Sequence, residues 1–418
     1  VKTTGFTAVS GVGYFVNTTA GAITVTLPAS PSAGDVVAVS DYANIFATNN
    51  LTLARNGSNI GGVTADSALL VNGAAVTLVY VDATKGWIVT DSGNQSDASE
   101  LPLYITATGG TITTIGDFKV HAFTGPGTFT VCSVGNPAGS ATVETMIVGG
   151  GGGAGFDRAG GAGAGGMVLT PTCGVSVTAT GFPISVGAGG AGIPNSLGPG
   201  AHTGANGTNS TSFSLTSIGG GGTSRGGNSR PLGEVTGAPG GSGGGGTAGC
   251  GAIGPGGPAI QPTQPGNSGS FGKGFAGGNA AGPGAQTGGG GGAGAVGVNA
   301  VSNTSSGAGG PGFDVSPRFG TAPQPFYQAN GPKQGASVGG IFAGGGGGGG
   351  SGPAGAGSGG NGGPGGGGHG GDSPSNPGDR DGFPGTTNTG GGGGGSSNIS
   401  ASPDSGGNGG SGIVIIRY

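Results

Sequence analysis

Between residues 149 and 412 the chain carries uninterrupted glycine runs at 149–153, 219–222, 243–246, 288–292, 344–350, 365–368 and 390–395. Of its 116 glycines, 18 precede residue 149, which leaves 98 in this stretch. Glycine loses more backbone freedom on folding than any other residue and brings no side chain to bury. If such a stretch is ordered, its own backbone must hold it. Two architectures compete: a flexible linker, the default for Gly/Pro/Ser-rich composition, and a lattice of backbone-bonded glycine segments. A linker would leave the β-rich ending Ile413-Val414-Ile415-Ile416-Arg417-Tyr418 without a sheet to join. A collagen triple helix fails because runs such as 344–350 break any Gly-X-Y period. The sequence therefore points to polyglycine II: extended threefold helices rising roughly 3.1 Å per residue, with no internal hydrogen bonds. Lacking Cβ atoms, such helices can approach and bond to one another at about 0.5–1.5 kcal/mol net per bond. One helix alone cannot hold on those terms, but a bundle anchored at its base can.

Charge is scarce. Only 7% of the 418 residues are charged, against about 25% in ordinary domains. With a net charge of −4 there is no electrostatic case for nucleic acid or an anionic membrane surface. No apolar run approaches the roughly 20 residues of a membrane span, so membrane insertion is not expected. The length suggests two or three domains. The chain begins at Val1 with no signal-like segment, as a cropped or processed chain would. Cys132, Cys173 and Cys250 are too few and too scattered for a disulfide scaffold or a zinc site. Cys132 and Cys173 lie in strand-like sequence, where they could pair, although buried free thiols are the simpler expectation.

Residues 1–91 read as an all-β module, an antiparallel sandwich or barrel. Strand-like sequence at 13–18 and 22–27 forms a hairpin-like pair around Ala20-Gly21. More follows at 35–40, 51–55, 75–81 and 86–90, punctuated by Pro28, Pro31, Gly34, Asn56-Gly57 and Asn72-Gly73. Val76, Leu78 and Tyr80 alternate with Thr77, Val79 and Val81, so two covered faces are expected for that strand. Trp87 reads as a core anchor. Residues 92–100 are polar, aperiodic and linker-like. Strand character resumes at 101–106, 118–123, 128–134 and 142–148, with turns at Gly125-Pro126-Gly127 and Asn136-Pro137-Ala138-Gly139. It continues at 167–170, 175–180, 184–186 and 213–218, then nearly vanishes until Ile413. The implied architecture is all-β with essentially no α-helix. A β-base starts at 101–148, and the glycine-rich segment 149–412 keeps strands up to about 218. Residues 413–418 supply the base's closing strand.

Two resemblances attach to these residues. Gly13-Tyr14-Phe15-Val16-Asn17-Thr18-Thr19, Ala22-Ile23-Thr24-Val25-Thr26-Leu27-Pro28 and Leu78-Val79-Tyr80-Val81-Asp82 with Gly86-Trp87 resemble a β-module of phage tail-fibre and other virion structural proteins. The second part resembles the glycine-rich domains of phage and bacterial surface proteins. It does so in Phe118-Lys119-Val120-His121-Ala122-Phe123, Met146-Ile147-Val148 entering glycines, Ile184-Ser185-Val186-Gly187, and Gly412-Ile413-Val414-Ile415-Ile416-Arg417-Tyr418. In design it is similar to the distal adhesins of phage tail fibres, in which polyglycine II bundles display receptor-binding loops. The resemblance implies a virion or extracellular location and a bacterial surface glycan or outer-membrane protein as receptor. It also implies other fibre or virion proteins as partners, and a homo-oligomer, by fibre analogy a trimer. A structural decoration or filament protein without a receptor is the alternative.

No catalytic chemistry is legible, and no enzyme, cofactor or metal is expected. In sequence this rich in glycine, G-x-G-x-x-G matches arise by chance, and Lys273 is followed by Gly274 rather than the Ser or Thr of a phosphate-binding loop. His121, His202 and His369 lack partners at metal or catalytic spacing, and carboxylates are too sparse for a glycosidase pair. Gly367-Gly368-His369-Gly370-Gly371-Asp372 opens like a calcium-binding glycine nonapeptide but has no tandem copy. Asp379-Arg380-Asp381-Gly382 reads as a solvated turn.

The richest signal is a loop set in the glycine desert: Phe313, Arg318, Phe319, Phe326, Tyr327 and Lys333, with Pro317, Pro323, Pro325 and Pro332 between them. Aromatics and arginine favour binding hot spots, and prolines lower the ordering cost of a loop. These six are the candidate receptor-binding residues, expected at the far tip of the bundle. The competing reading is that the aromatics cap the bundle. Phe271 with Lys273 and Phe275, and Arg380 with Phe383, are further groupings of the same kind.

Overall fold

The computed structural model describes the chain apart from residues 92–98, 137, 195–201, 227–234, 250–251, 262–270, 283–285, 302–304, 330, 336–338, 351–356, 373–379 and 398–403. It is nearly all β, with several sheets, no closed barrel and no helix of seven or more residues among the described ones. The chain forms two compact units: Val1–Tyr104 with Val134–Ala141, and Ile105–Ser133 with Thr142–Tyr418.

The first unit is a two-sheet sandwich. Strands β1 (Phe6–Thr7), β3 (Ile23–Thr26), β5 (Leu51–Ala54), β6 (Ser67–Leu69) and β9 (Ser99–Glu100) make one sheet; β2 (Val12–Val16), β4 (Val36–Asp41), β7 (Ala75–Tyr80) and β8 (Trp87–Val89) make the other. Alternation in each strand sends Val25, Leu27, Val37, Leu51, Leu53, Leu78 and Trp87 into one shared core. Trp87 is fully buried there, as an anchor should be. The sheets are mixed rather than antiparallel, because β1–β3, β3–β5 and β2–β4 pair in parallel. The expected hairpin around Ala20-Gly21 does not form. That turn carries the chain from one sheet to the other, which lets β2 and β3 both face the core. In β7 only Val76 and Leu78 are buried, while Thr77, Val79 and Tyr80 are half-covered, so one face is sealed rather than two. Ser99 and Glu100, expected in a linker, pair with β6 instead. Backbone pairing asks little of the side chains.

The base of the second unit is a two-faced sheet. Its strands are β11 (Thr111–Ile115), β12 (Phe118–Phe123), β23 (Ile413–Arg417), β14 (Thr142–Val148), β15 (Met167–Leu169) and β20 (Gly272–Lys273), in that order, with β16 (Val175–Ser176) also on β14. The terminal strand does return to it, wedged between β12 and β14. The inner strands divide their residues by parity. Val120, Met146, Val148, Met167, Ile413 and Ile415 enter one core, and Phe123, Val143, Ile147, Val168, Val414 and Ile416 enter the other. The second core also takes residues of a smaller sheet, β10 (Thr106–Thr108), β13 (Gly127–Ser133) and β17 (Gly181–Ile184), and of the hairpin β18 (Ser210–Ser212) and β19 (Leu215–Ser217). Gly125-Pro126-Gly127 therefore links two sheets and does not close a hairpin. Cys132 and Cys173 are free and exposed rather than buried, and Cys250 lies outside the described residues.

From the strand ends the chain runs into the glycine lattice. Its rule shows in 149–154. Gly149 and Gly152 donate to the carbonyls of Gly166 and Gly163, Gly150 and Gly153 to Thr208 and Ala205, and Gly151 and Ala154 to Gly410 and Gly407, all at 2.9–3.1 Å. Every third residue meets the same neighbour, as a threefold helix requires. The carbonyls obey the same period. Gly150 and Gly153 accept from Gly220 and Thr223, Gly151 and Ala154 from Gly190 and Ile193, and Gly152 from Gly393. One segment is thus bonded to six others. Segment 344–350 repeats the pattern, with Gly344, Gly347 and Gly350 donating to Gly365, Gly368 and Gly371. A Cβ built on Gly346 would lie 2.0 Å from the carbonyl oxygen of Gly393, so only glycine fits.

At the lattice rim the third position opens to solvent. Ala188, Ala191 and Pro194 are exposed on one segment, Ser358, Asn361 and Pro364 on a second, and Asp381, Pro384 and Thr387 on a third. Rim amides replace the absent neighbour. Asn408 Oδ1 accepts from Gly192 N–H (2.7 Å), Asn206 Oδ1 from Gly222 (2.8 Å) and Asn279 Oδ1 from Gly256 (2.9 Å). Backbone donors are thereby satisfied where the lattice ends. The Gly-Gly-His-Gly-Gly-Asp stretch is one of these segments, not a β-roll: Gly368 donates to Gly392, Gly370 to Gly360, and Asp372 accepts from Gly359.

Candidate functional site

The aromatic loop begins at β21 (Phe313–Asp314), passes through a single helical turn α1 (Ser316–Phe319) and ends near β22 (Ile341–Phe342). It packs on the base. Phe319 is fully buried and Phe326 is 3% exposed, both among Val120, Met146 and Ile415. Tyr327 stands edge-on to Phe326 and Phe342, and its hydroxyl donates to the Gly320 carbonyl at 2.7 Å. Burial first, then the charge of Asp314, pushes this phenol up to about 12. The expectation that these three rings occupy a solvent-facing tip is overturned. The reason is one of supply. The sheet face bearing Met146, Val148, Met167, Ile413 and Ile415 needs an apolar cover, and in a glycine-rich chain this loop holds the large side chains able to provide it.

Arg318 and Arg417 share the Glu144 carboxylate, at 3.9 Å and 2.8 Å. Arg318 also donates to the Thr170 carbonyl and Arg417 to the Arg318 carbonyl. Phe313 and Arg318 line a cleft of about 360 Å3 together with Leu169, Pro171, Phe271, Lys273 and Val315. There the Lys273 ammonium sits 4.1 Å from the centre of the Phe313 ring. Lys333, the last of the six, stands 3.6 Å from Asp372 and 5.2 Å from the Phe383 ring centre, on the lattice. The structure therefore divides the predicted site: three core rings, two cleft residues and one lattice lysine.

A second grouping lies where the segments reach the end remote from the strands. The segment leaving β14 reverses at Asp157 and Arg158, both with positive φ (59° and 62°), before 159–166 returns to β15. Arg225 stacks on Phe156 (4.5 Å) and stands 3.7 Å from Asp157; the His202 ring is 6.5 Å from Phe156. Arg158 lies beside Asp157 at 3.6 Å. Ser397 N–H donates to the Arg380 carbonyl, and Asp381 accepts from Ser405 N–H at 2.5 Å. Asp404 is 6% exposed. Its carboxyl is pushed up to about 6 by burial first and by Asp381 and Asp157, with Arg380 opposing. Of this group the sequence offered Arg380 as a weaker binding candidate, Asp381 as part of a solvated turn and His202 as a lone histidine, because residues 157, 225, 380 and 404 become neighbours only through the lattice register. The available signal was positional: Phe156-Asp157-Arg158 and Arg225 each follow closely on a glycine run that starts from a strand.

His121 serves the fold. It is buried, with Nδ1 2.7 Å from the Gly109 carbonyl and Nε2 3.1 Å from the Tyr418 hydroxyl, and burial lowers its basicity, helped by Lys119. Among the described residues no group of three His, Cys, Asp or Glu side chains is placed to hold a metal ion. Among the described residues, the end remote from the strands thus groups charges of both signs, and the cleft sets Lys273, Arg318 and Asp314 among apolar walls.

A family model described as a glycine-rich domain matches residues 122–418. No curated protein matches the chain.

Proposed function

The chain belongs to the family of glycine-rich domains, and from that premise we propose that it is a surface-displayed receptor-binding protein of the phage tail-fibre kind. On this reading it recognises a bacterial envelope component, a surface glycan or an outer-membrane protein, from a virion or other extracellular position. The observation that carries the reading is the sixfold-bonded lattice, which is rooted in a sheet at one end and gathers Asp157, Arg158, Arg225, Arg380, Asp381 and Asp404 at the other. A rigid support that holds polar groups at set separations lowers the ordering cost of binding. The Asn-capped rim supports the rival reading, a structural decoration or filament protein, equally well; the remote charged group does not. Labelled protein incubated with a panel of bacteria separates the two. Saturable binding to some strains, weakened at least tenfold by Arg225→Ala with the melting curve unchanged, is the expected result. Absence of saturable binding on every strain would leave the structural role.

A further inference from the structure

We infer that the cleft between β20, β21 and α1 is a small-ligand site for a carboxylate-bearing sugar. The inference rests on the receptor-binding reading only for the source of that sugar, an envelope glycan. At about 360 Å3 the cleft lies at the small end of ligand pockets, roughly 300–1,000 Å3, a size for one or two sugar units rather than a long chain. Leu169, Pro171, Phe271 and Val315 give it apolar walls, which suit the C–H face of a pyranose. Its polar groups are mostly cationic. Lys273 lies over the Phe313 ring, and no described carboxylate stands within ion-pair distance of it. Arg318 uses one guanidinium nitrogen, Nη1, on Thr170 and Glu144. Asp314, the acid of the cleft, is engaged by the N–H of Ser316 at 2.8 Å. An ammonium held against an apolar wall is matched by a ligand that brings one negative charge and an apolar face.

Titration calorimetry on the full chain tests this with three probes: glucuronate, glucose and hexanoate. Glucuronate should bind, with glucose and hexanoate each at least tenfold weaker. Lys273→Met keeps the stem against Phe313 and removes the charge, so it should weaken glucuronate at least tenfold; Lys273→Arg should restore it. Equal binding of glucose and glucuronate, undiminished binding by Lys273→Met, or no heat with glucuronate would each overturn the site. Hexanoate binding as tightly as glucuronate would overturn the assignment to a sugar. Glucuronate binding by a protein that binds no bacterial cell would uphold the cleft and defeat the receptor-binding reading.

Discussion

Leu78 and Gly346 are both buried, yet they sit in two different kinds of interior. Around Leu78, in the first unit, the space is filled by Val37, Leu53 and Trp87, and burying each large side chain contributes about 1.5–3 kcal/mol. Around Gly346 the neighbours are the amides of Ala162, Gly290 and Gly393, and each bond contributes about 0.5–1.5 kcal/mol. The sandwich is held by apolar bulk and tolerates exchanges that conserve volume. The lattice is held by many weak bonds in register and admits small side chains such as Ala162 and Thr287 only at particular positions.

The comparison breaks most visibly at Trp87. Trp87→Ala should cost the first unit about 3–5 kcal/mol, read as a lowered urea midpoint for that unit's transition. An unchanged midpoint would mean the sandwich does not depend on its side-chain core.

Gly346→Ala tests the other interior. Replacing glycine by alanine at a compatible site stabilises by about 0.4–1 kcal/mol, and Gly125, whose Cβ would meet nothing within 4 Å, should behave so. At Gly346 the same methyl meets backbone at 2.0 Å and should destabilise the second unit by about 1–3 kcal/mol. If both variants melt above the parent, lattice packing is not what holds the segment.

The smallest effect concerns charge at the remote end. Asp404 titrates near 6 when folded and near 3.9 when unfolded, so the folded state holds its proton more tightly. Its stabilising contribution is complete below about pH 4 and is lost as pH rises through about 6. Asp404→Asn should therefore melt with the parent at pH 4 and above it at pH 7. A difference that did not vary with pH would remove Asp404 as its cause.

The lattice was legible in the sequence because its requirement is local. Along a helix with six bonded neighbours a Cβ at most positions would meet backbone at well under 3 Å, so interior segments read as runs of glycine, as at 149–153, 288–292 and 344–350, relieved in places by small buried residues such as Ala154 and Ala162. Strand positions were legible for a local reason too: Thr142–Val148 and the terminal strand carry consecutive apolar residues, as strands covered on both faces do. The candidate site was half legible. Its residue types were visible, but not whether Phe319 and Phe326 would meet a receptor or a sheet.

By itself the sequence determined the all-β character, the apolar strand faces and the near-absence of large side chains from the lattice interior, each of which follows from the residue types within a few positions. Tertiary structure alone decided which strand pairs with which. β2 and β3, though adjacent in the chain, separate into two sheets, and Ile413–Arg417 enters between β12 and β14. It also decided that Phe319 covers the base and that Asp157, Arg225 and Asp404 share one end. Hydrogen-bonding edges and apolar faces are alike from one strand or glycine run to the next. The assignment of partners is therefore settled only by how the whole chain packs, with side-chain amides and solvent taking the backbone groups left at the rim.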